Sequence, residues 1–292
     1  MPLRRLAEAL PCLDDHGFMS ATAKNLLKRF IPSQVRRTLR ALVSRPVFRG
    51  NYPDWAPARA ASLGYDDAAI VQKVLAATLE VRAGRAAFER DSVLFQTLEP
   101  DRPLLAALEE IVRVSGGHLR VLDFGGSLGT NYWRHRTFLP RGENLRWDVI
   151  EQAGFVEAGR QHLVDTPLRF YREVREACGG GGYDVLICSC VLQYLERPLE
   201  VLAGWRDLGI PYLLLNNLPL LTKGPDRVRV QHVPPEIYAA SYPVWFFNRD
   251  AFLTRLKTDY EIVKEFDAEA VWPVGSGMLQ STGLLLKRRS SS

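Results

Sequence analysis

Cysteine is scarce in this chain, and its spacing excludes two common uses of the residue. The 292 residues include four cysteines, and no Cys-x-x-Cys pair occurs among them. The usual zinc-binding and redox spacings are therefore missing, and we expect no metal site. Cys188 and Cys190 stand two apart in an apolar run, which indicates two neighbours on one face of a buried strand.

Long apolar runs are missing as well. No run approaches the roughly 18–20 residues that a membrane span needs. Arg4 and Arg5 are followed by Glu8, which interrupts the apolar stretch that a signal peptide would have there. Together with the cysteine pattern, these absences predict a cytoplasmic protein.

Charge is ordinary in amount but uneven in position. The chain is 47% apolar and 24% charged, with a formal net charge of +5, a balance that weakly favours anionic partners. A basic amphipathic segment covers residues 1–50. Its basic side chains include Lys24, Lys28, Arg29, Arg36, Arg37, Arg40 and Arg45. Such a segment can make peripheral contact with the inner membrane surface, or it can pack its apolar stripe on the main domain. No nucleic-acid motif accompanies the charge, so we expect no nucleic-acid partner.

The next part of the chain has helical spacing. Apolar residues recur at three- and four-residue intervals between Tyr52 and Val114, and this period predicts helices. We therefore expect residues 51–116 to form a helical extension that packs on a larger domain.

Strand and helix patterns alternate after Gly116, which predicts a mostly parallel sheet in a domain over residues 117–290. The predicted strands are Leu119–Phe124, Arg146–Glu151, Leu168–Tyr171, Tyr183–Ser189, Tyr212–Asn216, Tyr260–Phe266 and Thr282–Lys287. The predicted helices between them are Tyr132–Phe138, Phe155–His162 and Pro198–Leu208. No helical pattern separates the last two strands, which indicates an antiparallel hairpin.

A glycine-rich turn within Leu119–Gly129 is the most specific motif. The predicted strand carries an acid, Asp123, and Gly125, Ser127 and Gly129 follow at intervals of two. In an open α/β sheet the ligand binds beyond the carboxyl ends of the strands. A dinucleotide fingerprint needs Gly-x-Gly-x-x-Gly, and two of its three glycine positions fail here. The acid-first spacing instead resembles motif I of class I S-adenosylmethionine (SAM) methyltransferases, with serine at the middle glycine.

Two further strand ends carry candidate binding groups. Glu151 can accept hydrogen bonds from both hydroxyls of an adenosine ribose. NAD enzymes use the same acid, so Glu151 indicates a nucleoside cofactor without naming it. Gln193 and Tyr194 lie in a turn after Ser189, where class I methyltransferases typically approach the methionine part of SAM and the substrate. The alternatives are an exposed acid at a strand end and a turn that only packs.

Several segments together are similar to a bacterial family of SAM-dependent methyltransferases associated with surface-polysaccharide loci. The matching segments are Phe48–Tyr52 with Trp55, Phe88–Ser92, Leu122–Gly126, Val149–Gln152, Val191–Leu195, Val233–Pro235 and Tyr242–Phe247. They cover most of the chain from about residue 45 onward. The resemblance implies a Rossmann-like class I methyltransferase sheet, mostly parallel with seven strands, and SAM as the cofactor. It implies no particular acceptor.

The predicted site combines the glycine turn, the second strand end and the turn after the fourth strand. Its cofactor-binding residues are Asp123, Gly125, Gly126, Ser127, Gly129, Glu151, Gln152, Ser189, Cys190 and Val191. The predicted substrate-binding residues are Tyr132, Gln193, Tyr242 and Trp245. An oxygen or amine acceptor can also need a base to take its proton, and the candidates, in order, are His232, Tyr194 and Asp226.

The segment Thr222–Phe247 replaces the short link that usually follows the fifth strand. Its polar and aromatic members are Lys223, Asp226, Arg227, Arg229 and His232, with Tyr238, Tyr242, Trp245, Phe246 and Phe247. Polar groups beside aromatic faces suit a pocket for a sugar or another polar small molecule. The alternative is a loop whose aromatic rings fill the core and whose charges face water.

These patterns favour SAM-dependent methyl transfer to a small polar acceptor, such as a glycan or a glycan precursor. Two alternatives remain open. One is an NAD(P)-linked oxidoreductase or epimerase on a similar sheet. The other is a non-catalytic, methyltransferase-like scaffold, because a Cβ at Ser127 could narrow the approach to SAM.

Overall fold

The computed structural model describes residues 47–64, 67–164, 167–233, 240–274 and 277–289. Almost all of the predicted basic segment, residues 1–50, lies outside these ranges, and so does Tyr238. The membrane contact predicted for that segment therefore stays a prediction. No helix within the described ranges is long and apolar enough to cross a membrane.

The described elements alternate between strands and helices along most of the chain. The first part contains β1 (Val47–Tyr52), α1 (Trp55–Ala60), α2 (Asp67–Arg82), β2 (Phe88–Arg90), β3 (Val93–Phe95) and α3 (Arg102–Val114). The middle part contains β4 (Leu119–Phe124), α4 (Thr130–His135), β5 (Leu145–Ile150), α5 (Ala153–His162), β6 (Leu168–Tyr171), α6 (Val174–Cys178), β7 (Val185–Ser189) and α7 (Pro198–Arg206). The last part contains β8 (Tyr212–Leu218), β9 (Leu220–Leu221), β10 (Arg227–His232), β11 (Ser241–Asn248), α8 (Arg249–Asp259), β12 (Tyr260–Val274) and β13 (Gly277–Arg288). Short 3-10 turns cover Gly142–Asn144 and Leu192–Tyr194.

The main sheet has seven strands in the order β12-β13-β8-β7-β4-β5-β6. Strands β4 to β8 run parallel, and β13 pairs antiparallel with both β8 and β12. The order reverses on either side of β4, so ligands are expected where β4 and its neighbours end. This arrangement confirms the predicted Rossmann-like methyltransferase sheet with its terminal antiparallel hairpin.

Alternation along each strand divides the apolar side chains between two cores. Val121 and Ile187 belong to the core on one face of the sheet. Leu122 and Leu186, their chain neighbours, belong to the core on the other face. Because both faces are covered, the parallel strands are continuous apolar runs, and this is why the sequence locates them well.

A second, four-stranded sheet has the order β1-β10-β11-β9. Its strand β9 begins at Leu220, and only Pro219 separates it from the end of β8 at Leu218. The second sheet is therefore attached where the parallel strands end, which we call the carboxyl edge. Much of the segment Thr222–Phe247 forms β10 and β11 of this sheet, with Phe246 and Phe247 fully buried.

The helical extension predicted for residues 51–116 is only partly correct. Helices α1, α2 and α3 are present, but β2 and β3 form an antiparallel hairpin between α2 and α3. Asp91 and Ser92 make its two-residue turn, with φ angles of 52° and 64°. A turn with two positive φ angles matches the twist of a hairpin. Asp-Ser is a weaker sequence signal for such a turn than Asn-Gly. The hairpin is therefore hard to recognise between the two helical patterns on either side.

Candidate functional site

The glycine turn follows β4 and is packed from two sides. Gly125 has a φ of 70°, and a Cβ there would lie 2.5 Å from Cγ2 of Val191. A Cβ on Gly126 would lie 2.6 Å from the carboxylate of Asp123. Glycine at these two positions therefore lets the backbone pass between the strand end and the turn after β7.

Ser127 stands at the middle position of the turn with a φ of 54°. Its amide nitrogen donates a hydrogen bond to Oε1 of Glu151 at 3.2 Å, and the amide of Gln152 donates to Oε2 at 2.7 Å. A carboxylate offers about four acceptor positions, and these two bonds occupy one on each oxygen. The glycine turn and the end of β5 are thus joined through the predicted ribose-binding acid.

Asp123 lies under this turn and is 1% exposed. Its Oδ2 accepts a hydrogen bond from Nε1 of Trp147 at 3.0 Å. Its Oδ1 makes no direct hydrogen bond within the part of the chain that the structure describes, although the side chain of Asn131 also stabilises the carboxylate. Burial raises the pKa of this carboxyl to about 7. A buried, unpartnered acceptor is costly, so this oxygen suits a ligand that brings a donor or a positive charge.

The turn after β7 lies beside the glycine turn. Ser189 accepts a hydrogen bond from Nδ2 of Asn216 at 3.3 Å, and Asn216 also donates to the buried carboxyl of Asp101 at 3.1 Å. Cys190 has a φ of 60°, and burial raises the pKa of its thiol to about 12, with Asp91 adding to the shift. The thiol is therefore neutral, and the effect of Asp91 places the tip of the β2–β3 hairpin near this turn.

Glu89, on β2, is a site residue that the sequence does not predict. It is 1% exposed, and its Oε1 accepts a hydrogen bond from the hydroxyl of Thr130 at 2.5 Å. Thr130 is the first residue of α4, directly after the glycine turn. Burial raises the pKa of Glu89 to about 7. The sequence pattern that could have identified this hairpin is the alternation of residues from Phe88 to Phe95 around a two-residue turn.

Tyr194 and Tyr242 connect the turn after β7 with the second sheet. The Tyr194 hydroxyl donates to Oε1 of Gln231 at 3.0 Å, and Nε2 of Gln231 lies 3.4 Å from the Tyr242 hydroxyl. The two tyrosine rings pack edge to face with centroids 5.4 Å apart. Gln193, in the same turn, is fully buried and donates to the carbonyl of Asn217 at 3.4 Å. The second sheet therefore covers this side of the carboxyl edge.

The three candidate bases are not brought together. His232 follows Gln231 on β10, so alternation directs it to the opposite face from Tyr194. Burial and the charge of Arg49 lower the pKa of His232, which keeps it neutral at pH 7. Asp226 accepts from the amide of Asn248 at 2.6 Å and pairs with Arg255 at 3.1 Å. These contacts hold the start of α8, so Asp226 has a structural use.

Two predicted substrate-binding aromatics pack inside the molecule. Tyr132 is 4% exposed and packs edge to face on Trp133. Trp245 stacks between Trp55 and Phe247, each with centroids 6.3 Å away. Both side chains pack behind the residues that border the candidate site. Their contacts do not direct either one towards a ligand.

No protein-family model matches the chain, and no curated protein matches it. Solved structures match at low identity. The CcbJ methyltransferase of Streptomyces caelestis is 12% identical with a TM-score of 0.45, over 77% of this chain and 100% of its own. A 1,6-didemethyltoxoflavin-N1-methyltransferase of Burkholderia thailandensis, with S-adenosylhomocysteine (SAH) bound, is 15% identical with a TM-score of 0.43, over 85% of this chain and 100% of its own.

A third match is a SAM-bound amino pentose methyltransferase of Micromonospora echinaspora. It is 12% identical with a TM-score of 0.41, over 72% of this chain and 96% of its own. All three TM-scores lie below 0.5, so neither the cofactor nor the acceptor of this chain follows from these likenesses. The fold rests on the strand order described above, and the function rests on the site.

Proposed function

We propose that this protein is a SAM-dependent methyltransferase that acts on a small polar acceptor. The observation that carries the proposal is the junction of the glycine turn with Glu151. Two backbone amides hold the carboxylate of Glu151 at the carboxyl edge of β5, where acids of this sheet type bind ribose hydroxyls. The acid-first spacing of the turn distinguishes it from a dinucleotide fingerprint.

The residues at this edge fit SAM in charge and in space. Asp123 supplies a buried carboxyl oxygen that makes no direct hydrogen bond among the described residues, with Asn131 nearby. Such an oxygen suits a cationic ligand. Gly125 and Gly126 leave room for close approach of the backbone. Ser127 adopts its left-handed conformation in this structure, so the missing middle glycine does not prevent the turn from forming.

Bound SAM would supply an activated methyl group, so the protein's task is to position the acceptor and to exclude water. Tyr194, Tyr242 and Gln231 border the side of the edge that faces the second sheet, and they offer hydroxyl and amide groups beside aromatic faces. A sugar or another polar small molecule suits such a surface. A glycan or glycan precursor is the acceptor that we propose.

A proton acceptor is needed if the nucleophile is a hydroxyl, or an amine that must first lose a proton. Glu89 is the carboxyl that we propose for this role, because burial places its pKa at about 7 and Thr130 fixes it beside the glycine turn. His232 is less suited, since it projects from the opposite face of the second sheet.

Calorimetric titration of the full chain with SAM and with NADH tests the cofactor. We expect micromolar binding of SAM and no heat from NADH. Binding of NADH alone would favour the oxidoreductase alternative. Binding of neither would favour the scaffold alternative and would remove the glycine turn from any cofactor site.

A further inference from the structure

Two arginines on the second sheet have no acidic partner among the residues that the structure describes. Arg227 and Arg229 stand two apart on β10, so they project from the same face. Both are half-buried, and the Nε of each is buried without a hydrogen-bond partner among the described residues. No carboxylate in the described ranges forms an ion pair with either one. Arginines are almost never fully buried unless they are paired, and here the buried Nε atoms have no partner of this kind.

The surroundings of these arginines contain further unpaired donors and a flat aromatic surface. The guanidinium of Arg229 lies 5.7 Å from the centre of the Phe246 ring. Trp272 packs on the same ring with centroids 6.1 Å apart, and its Nε1 is also buried without a partner among the described residues. The surface around the Phe246 ring therefore has three buried nitrogen donors, from Arg227, Arg229 and Trp272, that lack a hydrogen-bond acceptor among the described residues.

The two positive charges oppose each other. Burial and the neighbouring charge of Arg227 both lower the pKa of Arg229. A fold gains nothing by holding two like charges in a half-buried place, whereas an anion between them would relieve both costs. Their arrangement is therefore explained better by a ligand than by the fold.

The arginine pair lies close to Tyr194 and Gln231, which border the proposed binding place of the methyl acceptor. Gln231 is the next residue on the same face of β10, and it accepts the hydrogen bond from Tyr194. Strand geometry places Arg229 roughly 7 Å along the sheet from Gln231. The side chains around Phe246 also pack with Tyr194 and Cys190 in one apolar cluster. A small molecule at the carboxyl edge can therefore span both places.

We propose that Arg227 and Arg229 bind a phosphate group on the acceptor. Two guanidinium groups match the charge of a phosphate monoester, which is about −2 near neutral pH, and their forked donors match its oxygens. A carboxylate would neutralise only one of the two charges. The assignment to the acceptor depends on the proposed methyltransferase function, whereas the phosphate site itself does not.

Thermal unfolding in inorganic phosphate tests the site, with sodium chloride of equal ionic strength as the reference. A ligand that binds the folded state raises the melting temperature (Tm) by mass action. We expect phosphate to raise the Tm of the full chain, and acetate to raise it less. The shift should be lost in Arg227→Gln and Arg229→Gln, because a charge-assisted hydrogen bond removed from the site weakens binding roughly ten-fold or more. Arg229→Lys should keep part of it.

The matched control is Arg113→Gln, which removes one positive charge from the exposed side of α3 and should keep the full phosphate shift. A cooperative thermal transition in chloride shows that each variant is folded, and its affinity for SAM, measured by titration, should not change. A phosphate shift that survives in both β10 variants, or an acetate shift of equal size, would overturn the proposal. So would competition between phosphate and SAM, because the arginines would then belong to the cofactor site. A phosphate shift without SAM binding would contradict the methyltransferase function alone.

Discussion

The main sheet and the second sheet each contain a half-buried arginine over an aromatic ring, and the two arginines differ in their partners. In the main sheet, Arg146 lies over Tyr183 and donates from Nε to the buried carboxylate of Asp148 at 2.7 Å. Its other donors reach backbone carbonyls. In the second sheet, Arg229 lies over Phe246 and has no ion pair with any described residue.

The two arginines therefore illustrate two roles of a half-buried charge, one in stabilising the fold and one in binding a ligand. The charge of Arg146 is balanced within the fold by Asp148, although Oδ1 of Asp148 has no hydrogen-bond partner among the described residues. The pair connects β5 with the loop before β7. The Arg227–Arg229 pair carries positive charge, and its Nε atoms have no acceptor in the described part of the chain. A ligand can supply that acceptor. Functional sites often carry such unfavourable arrangements at a cost in stability. The predictions below test the contrast, beginning with the largest effect.

Breaking the ion pair between Arg146 and Asp148 should have the largest effect on stability. Asp148 is fully buried, so Asp148→Asn leaves the charge of Arg146 without compensation. We expect the free energy of unfolding to fall by about 3–5 kcal/mol, measured by urea denaturation. A loss below about 1 kcal/mol, which is typical of exposed ion pairs, would show that the pair does not stabilise the main sheet.

Removal of the proposed ribose-binding acid should weaken cofactor binding without unfolding the protein. Glu151→Ala deletes an ionised acceptor worth roughly 1.5–3 kcal/mol, so calorimetry should show SAM binding weakened by about ten-fold or more. Glu157→Ala on the exposed side of α5 is the matched control and should bind normally. Equal affinity in the two variants would remove Glu151 from the site.

Glu89 should make stability depend on pH in a direction that can be worked out. Burial raises its pKa from 4.5 to about 7, so the folded protein keeps a proton that the unfolded chain releases between these values. The stabilising contribution of the protonated form is thus present at low pH and is lost as the pH rises towards 7. Glu89→Gln should match the natural chain at pH 5 and unfold at a higher temperature at pH 8.

Thermal unfolding at a series of pH values measures this difference. Glu109→Gln, on the exposed side of α3, is the control and should give a curve parallel to that of the natural chain. If the Glu89→Gln curve is also parallel, the pKa of Glu89 is not raised by folding, and Glu89 loses its advantage as a base near neutral pH.

The smallest effect is expected from Arg229→Gln without any ligand. Because this change relieves repulsion from Arg227, it should raise the Tm slightly, in contrast to the large loss from Asp148→Asn. Differential scanning calorimetry in chloride alone measures it. A clear fall in Tm would mean that Arg229 is satisfied within the fold, and the contrast between the two sheets would fail.

The parallel strands could be predicted from the sequence because burial on both faces makes them apolar runs with sharp ends. Strands β4 and β6 match the predicted residues, and the others differ mainly at their ends. The terminal hairpin is longer than predicted, because Asp267 and Val271 bound a register shift beyond which pairing resumes. Apart from the buried Trp272, its outer part is exposed or only partly buried, so no regular apolar pattern marks it.

The second sheet could not be predicted as a unit. Strand β10 alternates between arginines and buried valines, but β1 pairs with it across about 180 residues of chain, with Phe48 opposite Gln231. Such a distant pairing leaves no local pattern. The position of Glu151 at the carboxyl edge follows from the sequence, whereas its bond to the Ser127 amide depends on the three-dimensional turn. The position of Tyr194 on the face of the second sheet opposite to His232 also depends on the three-dimensional fold, here on the register of β10.

A crystal structure of the full chain with SAH would test the central claim most directly. We expect the nucleoside at the carboxyl edge, with its ribose hydroxyls on the carboxylate of Glu151 and the Gly125–Gly129 turn against the amino-acid part. SAH bound away from both Glu151 and this turn would contradict the account, and the carboxyl edge would then lose its assignment as the cofactor site.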